Sequence, residues 1–263
     1  MSLEIITREP LDAPRPTPLL FVHGILHGAW CFDEYWLPFF AERGYAASAL
    51  SLRGHGRSSG EARWAGLWDY VEDIAQAAAQ IEGQFGARPA VIGHSMGGWA
   101  VQLYLQKHSA PAAVLLASVP VSGAANALLK IAARFPSSMA QSLFSQSFAP
   151  LVEAPSAVRW LFFGESMSED DLARHQARLG EESWRLLVEA LTVRPDPERV
   201  PYVPMLVLNA EQDALFSLEE GRATARAYGA DFESLSSAHD IMLDPNWREG
   251  AQRVLAWLER HGL

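Results

Sequence analysis

One cysteine, Cys31, stands in 263 residues. A lone thiol closes no internal disulfide and has no second thiol with which to hold zinc, so Cys31 is expected to be a packing residue. Positive charge is scarce as well, with 21 Lys and Arg against 31 Asp and Glu and a formal net charge of −10. Such a field repels phosphate backbones and anionic lipid surfaces, so no nucleic acid partner is expected. No apolar run approaches the roughly 20 residues that cross a bilayer, and residues 1–12 lack the basic end and apolar stretch of a secretory leader. No integral membrane association is expected, and a cytoplasmic location is the default. The sequence has no internal repeat, no low-complexity tract and no clustered charge run, and its eight histidines are scattered. Neither a metal nor a cofactor is expected, and nothing in the sequence speaks to oligomeric state.

What is present is an ordinary globular composition, 49% hydrophobic and 20% charged, in a chain long enough for one α/β core carrying an insertion. Apolar runs bounded by turn residues recur at Leu19–Val22, Tyr45–Leu50, Ala90–Ile92, Ala112–Ala117 and Met205–Leu208, and Phe232–Leu235 is a further candidate strand. Most are continuously apolar, as strands covered on both faces must be, and helical periodicity follows several of them, so a mainly parallel sheet flanked by helices is predicted. Asp69 with Glu72 resembles a capping box ahead of the stripe Val71, Ile74, Ala75, Ala78 and Ile81. Ser217 with Glu220 repeats the pattern with Gly229 as the stop, and Asp244 with Pro245 opens a final helix. From Val121 to Val200 the strand rhythm gives way to helical segments, one opened by Ser168 and Asp171 and closed by Gly180. The expected organisation is a core in two parts, residues 1–120 and 201–263, with a helical lid over 121–200. A small separate domain is the alternative.

Chemistry concentrates at Gly93-His94-Ser95-Met96-Gly97, a G-x-S-x-G pattern between an apolar strand and a helix-like run that begins at Gly98. A strand turning sharply into a helix pushes the serine hydroxyl outward, the flanking glycines relieve the crowding, and the helix N-terminus aims free N–H groups, Met96's among them, at developing negative charge. Gly56-Arg57-Ser58-Ser59-Gly60 has the same pattern but no apolar helix directly after it, and reads as a loop. A serine nucleophile needs a base and an orienting acid downstream. Asp213 lies in a polar loop beyond the Met205–Leu208 strand, with Glu211 as its rival, and His239 lies between the Phe232–Leu235 strand and the final helix. A second oxyanion donor is expected at the Ile25 N–H, in the glycine turn that ends the first strand.

These residues give the chain a resemblance to the α/β-hydrolase superfamily over nearly its whole length, through the His23-Gly24 turn, the Arg53–Ser58 loop, the Gly93–Gly97 elbow, Asp213 and His239. The resemblance implies a lid inserted after the sixth core strand. It also implies attack by Ser95 on an ester carbonyl, with His239 as base and acid, Asp213 orienting it, and Ile25 and Met96 holding the oxyanion. The stretch His23–Trp30 is also similar to plant esterases and hydroxynitrile lyases. Those lyases carry lysine directly after the histidine where this chain has Asp240, and haloalkane dehalogenases carry an aspartate nucleophile where it has Ser95, so both chemistries are disfavoured. Phe144, Phe148, Trp160, Leu161, Phe162, Phe163 and Trp184 supply apolar surface in the lid segment, suggesting esters of small to medium apolar acyl groups as the small-molecule substrate. The same triad also suits thioester, lactone or carbon–carbon bond hydrolysis and cofactor-free perhydrolysis, and a ligand receptor on a hydrolase scaffold is the reading outside enzymes.

Overall fold

The short apolar runs assemble into one sheet in a computed structural model that describes Met1–Leu263. Its strands are β1 (Glu4–Arg8), β2 (Leu19–Val22), β3 (Ala47–Ser51), β4 (Ala90–His94), β5 (Ala113–Leu116), β6 (Met205–Ala210) and β7 (Asp231–Leu235). They lie in the order β1-β3-β2-β4-β5-β6-β7, and every neighbouring pair is parallel except β1 with β3. From β2 to β6 each strand is wholly buried, because helices cover both faces of a parallel sheet. β1 escapes the sequence reading: Glu4-Ile5-Ile6-Thr7-Arg8 is a half-buried, polar-ended edge strand with no long apolar run to announce it.

Two helix starts shift by two or three residues from the expected positions. Asp69 is the third residue of the helix Leu67–Phe85 and not its cap; Gly66 caps, and its N–H donates to Asp69 Oδ2 at 2.7 Å. The last helix begins at Trp247, beyond Asp244 and Pro245, because Asp244 Oδ1 accepts from the Asn246 N–H at 2.8 Å and closes a turn first. Ser168 does cap Glu169–Gln176, and Ser217 and Glu220 form the reciprocal box ahead of Leu218–Tyr228.

Between β5 and β6 the chain forms helices joined by loops, from Ala125 to Arg199, with no strand among them and a π-turn at Arg159–Phe163. The resemblance puts this insertion after a sixth strand; here it follows the fifth of seven. Its Ile131, Phe148, Leu161, Phe163 and Leu186 belong to one contiguous core with the sheet strands, so the segment shares the sheet's hydrophobic core.

Candidate active site

The elbow is set by sterics. Ser95 ends β4 and opens the helix Met96–Tyr104 with φ 53° and ψ −118°, a conformation that costs a non-glycine residue energy and survives only where packing enforces it. A Cβ on Gly97 would lie 2.4 Å from the carbonyl oxygens of Val22 and His23, and one on Gly93 would lie 2.6 Å from Gly97 O. Only glycine lets the elbow press against β2, and that contact pushes the Ser95 side chain outward.

The acid and the histidine arrive from the carboxyl ends of β6 and β7. Asp213 Oδ1 accepts from the N–H groups of Leu215 (2.7 Å) and Phe216 (3.1 Å), which leaves Oδ2 2.7 Å from His239 Nδ1. On the other ring edge His239 Nε2 lies 2.9 Å from Ser95 Oγ. The sequence rival Glu211 is exposed and accepts from Ser234 Oγ instead. Burial works against a charged His239 ring, but the Asp213 and Asp240 carboxylates outweigh it and raise its pKa above the ordinary imidazole value. Ser58, in the second G-x-S-x-G, donates to Ser51 O and accepts from the Glu4 N–H, so its hydroxyl ties the loop to the edge strand.

Neither the Ile25 nor the Met96 N–H donates to a group of the chain, and both residues line the same cavity as Ser95. His23 Nδ1 donates to Gly24 O at 2.7 Å while its Nε2 accepts from the Leu52 N–H at 3.0 Å. A planar trans peptide points its N–H opposite its carbonyl, so fixing Gly24 O fixes the direction of the Ile25 N–H.

The cavity holds about 80 Å³. Fourteen of its fifteen lining residues are apolar, among them Ile25, Trp99, Leu128, Ile131, Phe148, Leu187 and Phe216, and none is charged. Of the aromatic and leucine residues expected to line it from the 121–200 segment, only Phe148 does. Phe144 faces solvent, Trp160 packs on Phe135, Trp184 packs on Phe148, and Leu161, Phe162 and Phe163 are buried in the core beside the histidine loop. Aliphatic side chains of the helices Ala125–Arg134 and Arg185–Thr192 do most of the lining from this segment.

Two buried polar clusters support the site, and neither is legible in the sequence, because their members are far apart along the chain. Beneath His239, Asp240 lies 3.0 Å from His27 Nε2 and 3.5 Å from His94 Nε2. The His94 Nε2 donates to His239 O at 3.1 Å, and burial pushes the His94 pKa down to about 3. Beside the Ile25 turn, Glu182 receives Leu26 N–H, Tyr70 O–H and Ser183 N–H. His94, His239 and Asp240 come near enough to share a cation, but His239 is held between Asp213 and Ser95.

Residues 14–246 match the family model described as serine aminopeptidase, S33. Among characterised proteins, the chain is 36% identical over 107 residues to a non-heme haloperoxidase of Rhodococcus erythropolis, covering 39% of this chain and 37% of that one. It is 33% identical over 120 residues to a bifunctional esterase/perhydrolase of Acinetobacter calcoaceticus, covering 41% and 39%. These matches therefore span about two fifths of the relatives' own lengths. In fold it is similar to a monoacylglycerol lipase of Paleococcus ferrophilus, with a TM-score of 0.73 at 18% identity over 99% of this chain and 100% of that one.

Proposed function

Since the chain belongs to the α/β-hydrolase superfamily, within its S33 serine aminopeptidase family, we propose that it hydrolyses carboxylic esters of short apolar acids through an acyl-enzyme at Ser95. One observation carries the reading: the hydrogen-bonded line Asp213–His239–Ser95 ends at an apolar cavity. Ser95 Oγ adds to the carbonyl carbon as its proton passes to His239 Nε2, and the carbonyl oxygen becomes an oxyanion held by the Ile25 and Met96 N–H groups. The tetrahedral intermediate collapses as His239 returns the proton to the departing alkoxide. Water deprotonated by His239 then releases the acid and restores Ser95. Asp213 stabilises the imidazolium and fixes its tautomer. The helical segment 121–200 acts as the cap that completes the acyl pocket.

An aminopeptidase must hold a substrate ammonium, which calls for a carboxylate in the pocket; the uncharged lining favours an ester. A cavity of about 80 Å³ is roughly half of the ~150 Å³ that houses benzene, so the acyl group is one of about two to four carbons. On a panel of nitrophenyl esters, kcat/KM should peak at propionate or butyrate and fall at octanoate; a rate that climbs steadily to long chains would refute the size assignment. Fluorophosphonate should label Ser95 in the native protein, fail on Ser95→Ala and slow on His239→Ala.

A second reading rests on the haloperoxidase and perhydrolase named among the relatives. Hydrogen peroxide in place of water would take the acyl group from Ser95 and leave as a peracid. Peracid formed from a short ester and peroxide, and lost in Ser95→Ala, is the expected sign.

A further inference from the structure

Leu26 follows the proposed oxyanion donor and adopts φ 66°, the left-handed region that a γ-branched residue enters only under constraint. The constraint comes from outside the turn. The Leu26 N–H donates to Glu182 Oε2 at 3.0 Å, and Leu26 O accepts from the Gly180 N–H at 2.7 Å. Both backbone groups of one strained residue are therefore held by a three-residue stretch of the helical insertion, more than 150 positions away in the chain.

Glu182 is built for a fixed position. It is fully buried, its Oε1 accepts from Tyr70 O–H (3.0 Å) and Ser183 N–H (2.6 Å), and His55 Nε2 lies 3.3 Å from Oε2. A buried carboxylate is costly unless several donors converge on it, and here they do. The peptide between Ile25 and Leu26 is pinned at both ends, its carbonyl by His27 Nδ1 at 2.7 Å and its N–H by Glu182. The preceding peptide is pinned through Gly24 O by His23.

We propose that Gly180 and Glu182 are positioning residues that clamp the oxyanion turn, so that docking of the insertion sets the aim of the Ile25 N–H. The clamp rests on the reading of Ile25 as an oxyanion donor. An N–H held in place before reaction stabilises the transition state without reorganising, whereas a free turn would swing the donor off line. The insertion thus completes the catalytic machinery as well as covering the pocket.

Glu182→Gln tests this, because an amide has one acceptor oxygen where the carboxylate has two, and either Leu26 N–H or the Tyr70 and Ser183 pair loses its acceptor. On a short nitrophenyl ester, kcat should fall about ten- to hundredfold with KM within about twofold. An aryl trifluoromethyl ketone forms a hemiketal when Ser95 Oγ adds to its carbonyl, the proton passing to His239 and the oxygen becoming an oxyanion. Its affinity should fall by the same factor, while the corresponding methyl-carbinol, which forms no oxyanion, should bind as before. Gly180→Pro, at an exposed site, replaces the N–H that Leu26 O accepts at 2.7 Å with a ring carbon that must push that oxygen out of reach, so it breaks the other arm of the clamp and gives the same readout if Glu182→Gln does not fold. Folded variants that keep kcat within about twofold, or that lose affinity for ketone and carbinol alike, would overturn the clamp. Absence of fluorophosphonate labelling in the native protein would instead defeat the esterase reading beneath it.

Discussion

In the proposed mechanism His239 has to be neutral to accept the Ser95 proton, so its pKa would govern the acid limb of the rate. Burial disfavours the imidazolium, but Asp213 and Asp240 more than offset this and the pKa is raised. As pH falls through the raised value the ring gains a proton and kcat/KM declines, so the half-maximal rate should lie above the ordinary imidazole value of about 6.5. Asp213→Asn should move that midpoint down and lower kcat about 10⁴-fold, as loss of the orienting acid does in serine hydrolases of this type. A pH profile of both proteins checks the sign, and a midpoint that stays put would show that Asp213 does not set the proton affinity of the ring. At this scale the sequence was informative where an element fixes the side chain. Ser95 follows an apolar strand and precedes a helix, which only one of the two G-x-S-x-G patterns does. Asp213 could not be separated from Glu211, because two positions along a loop decide which carboxylate faces the ring, and that depends on the Asx turn Asp213 makes with Leu215 and Phe216.

Elements carry the elbow and the pocket. Because a Cβ on Gly97 would lie 2.4 Å from the Val22 and His23 carbonyl oxygens, Gly97→Ala must displace a central strand or the elbow itself. The expected cost is several kcal/mol, read as a lowered melting temperature or failure to fold. Ile131, on the helix Ala125–Arg134, forms part of the cavity wall. Ile131→Ala should cost about 2–4 kcal/mol of stability and move the preferred nitrophenyl ester to a longer chain; an unchanged chain-length profile would place the acyl group elsewhere. Helix existence was readable from apolar stripes and caps, but exact starts were not. Asp69 serves equally well as a cap or as the third residue of a capping box, and the backbone around Gly66 settles which. The aromatics of residues 121–200 misled for a related reason: composition does not say which way a helix turns, and aliphatic side chains form most of the wall.

Across the whole molecule, neutral histidines buried in the core tie stability to pH. His23 and His94 are both depressed by burial, His94 to about 3. The unfolded chain takes up these protons first, so the stability present above about pH 6.5 is lost progressively as pH falls toward 3. His55 and His239 have raised values through Glu182 and Asp213 and act in the opposite sense, their contribution being full below about 6.5 and lost as pH rises. The large depressions should prevail, so the melting temperature should drop across that window, and His94→Asn should show a shallower drop. An equal slope in both proteins would refute the assignment to His94.

The sequence by itself determined the parallel sheet, the strand-to-helix serine and the order of serine, acid and histidine, since these follow from local periodicity, turn chemistry and chain direction. Only the tertiary structure decided that Glu182 grips Leu26, that Asp240 sits between His27 and His94, and that the cavity wall is largely aliphatic. A buried ion finds its partners through packing between segments remote in the chain, and no local pattern encodes which segments meet.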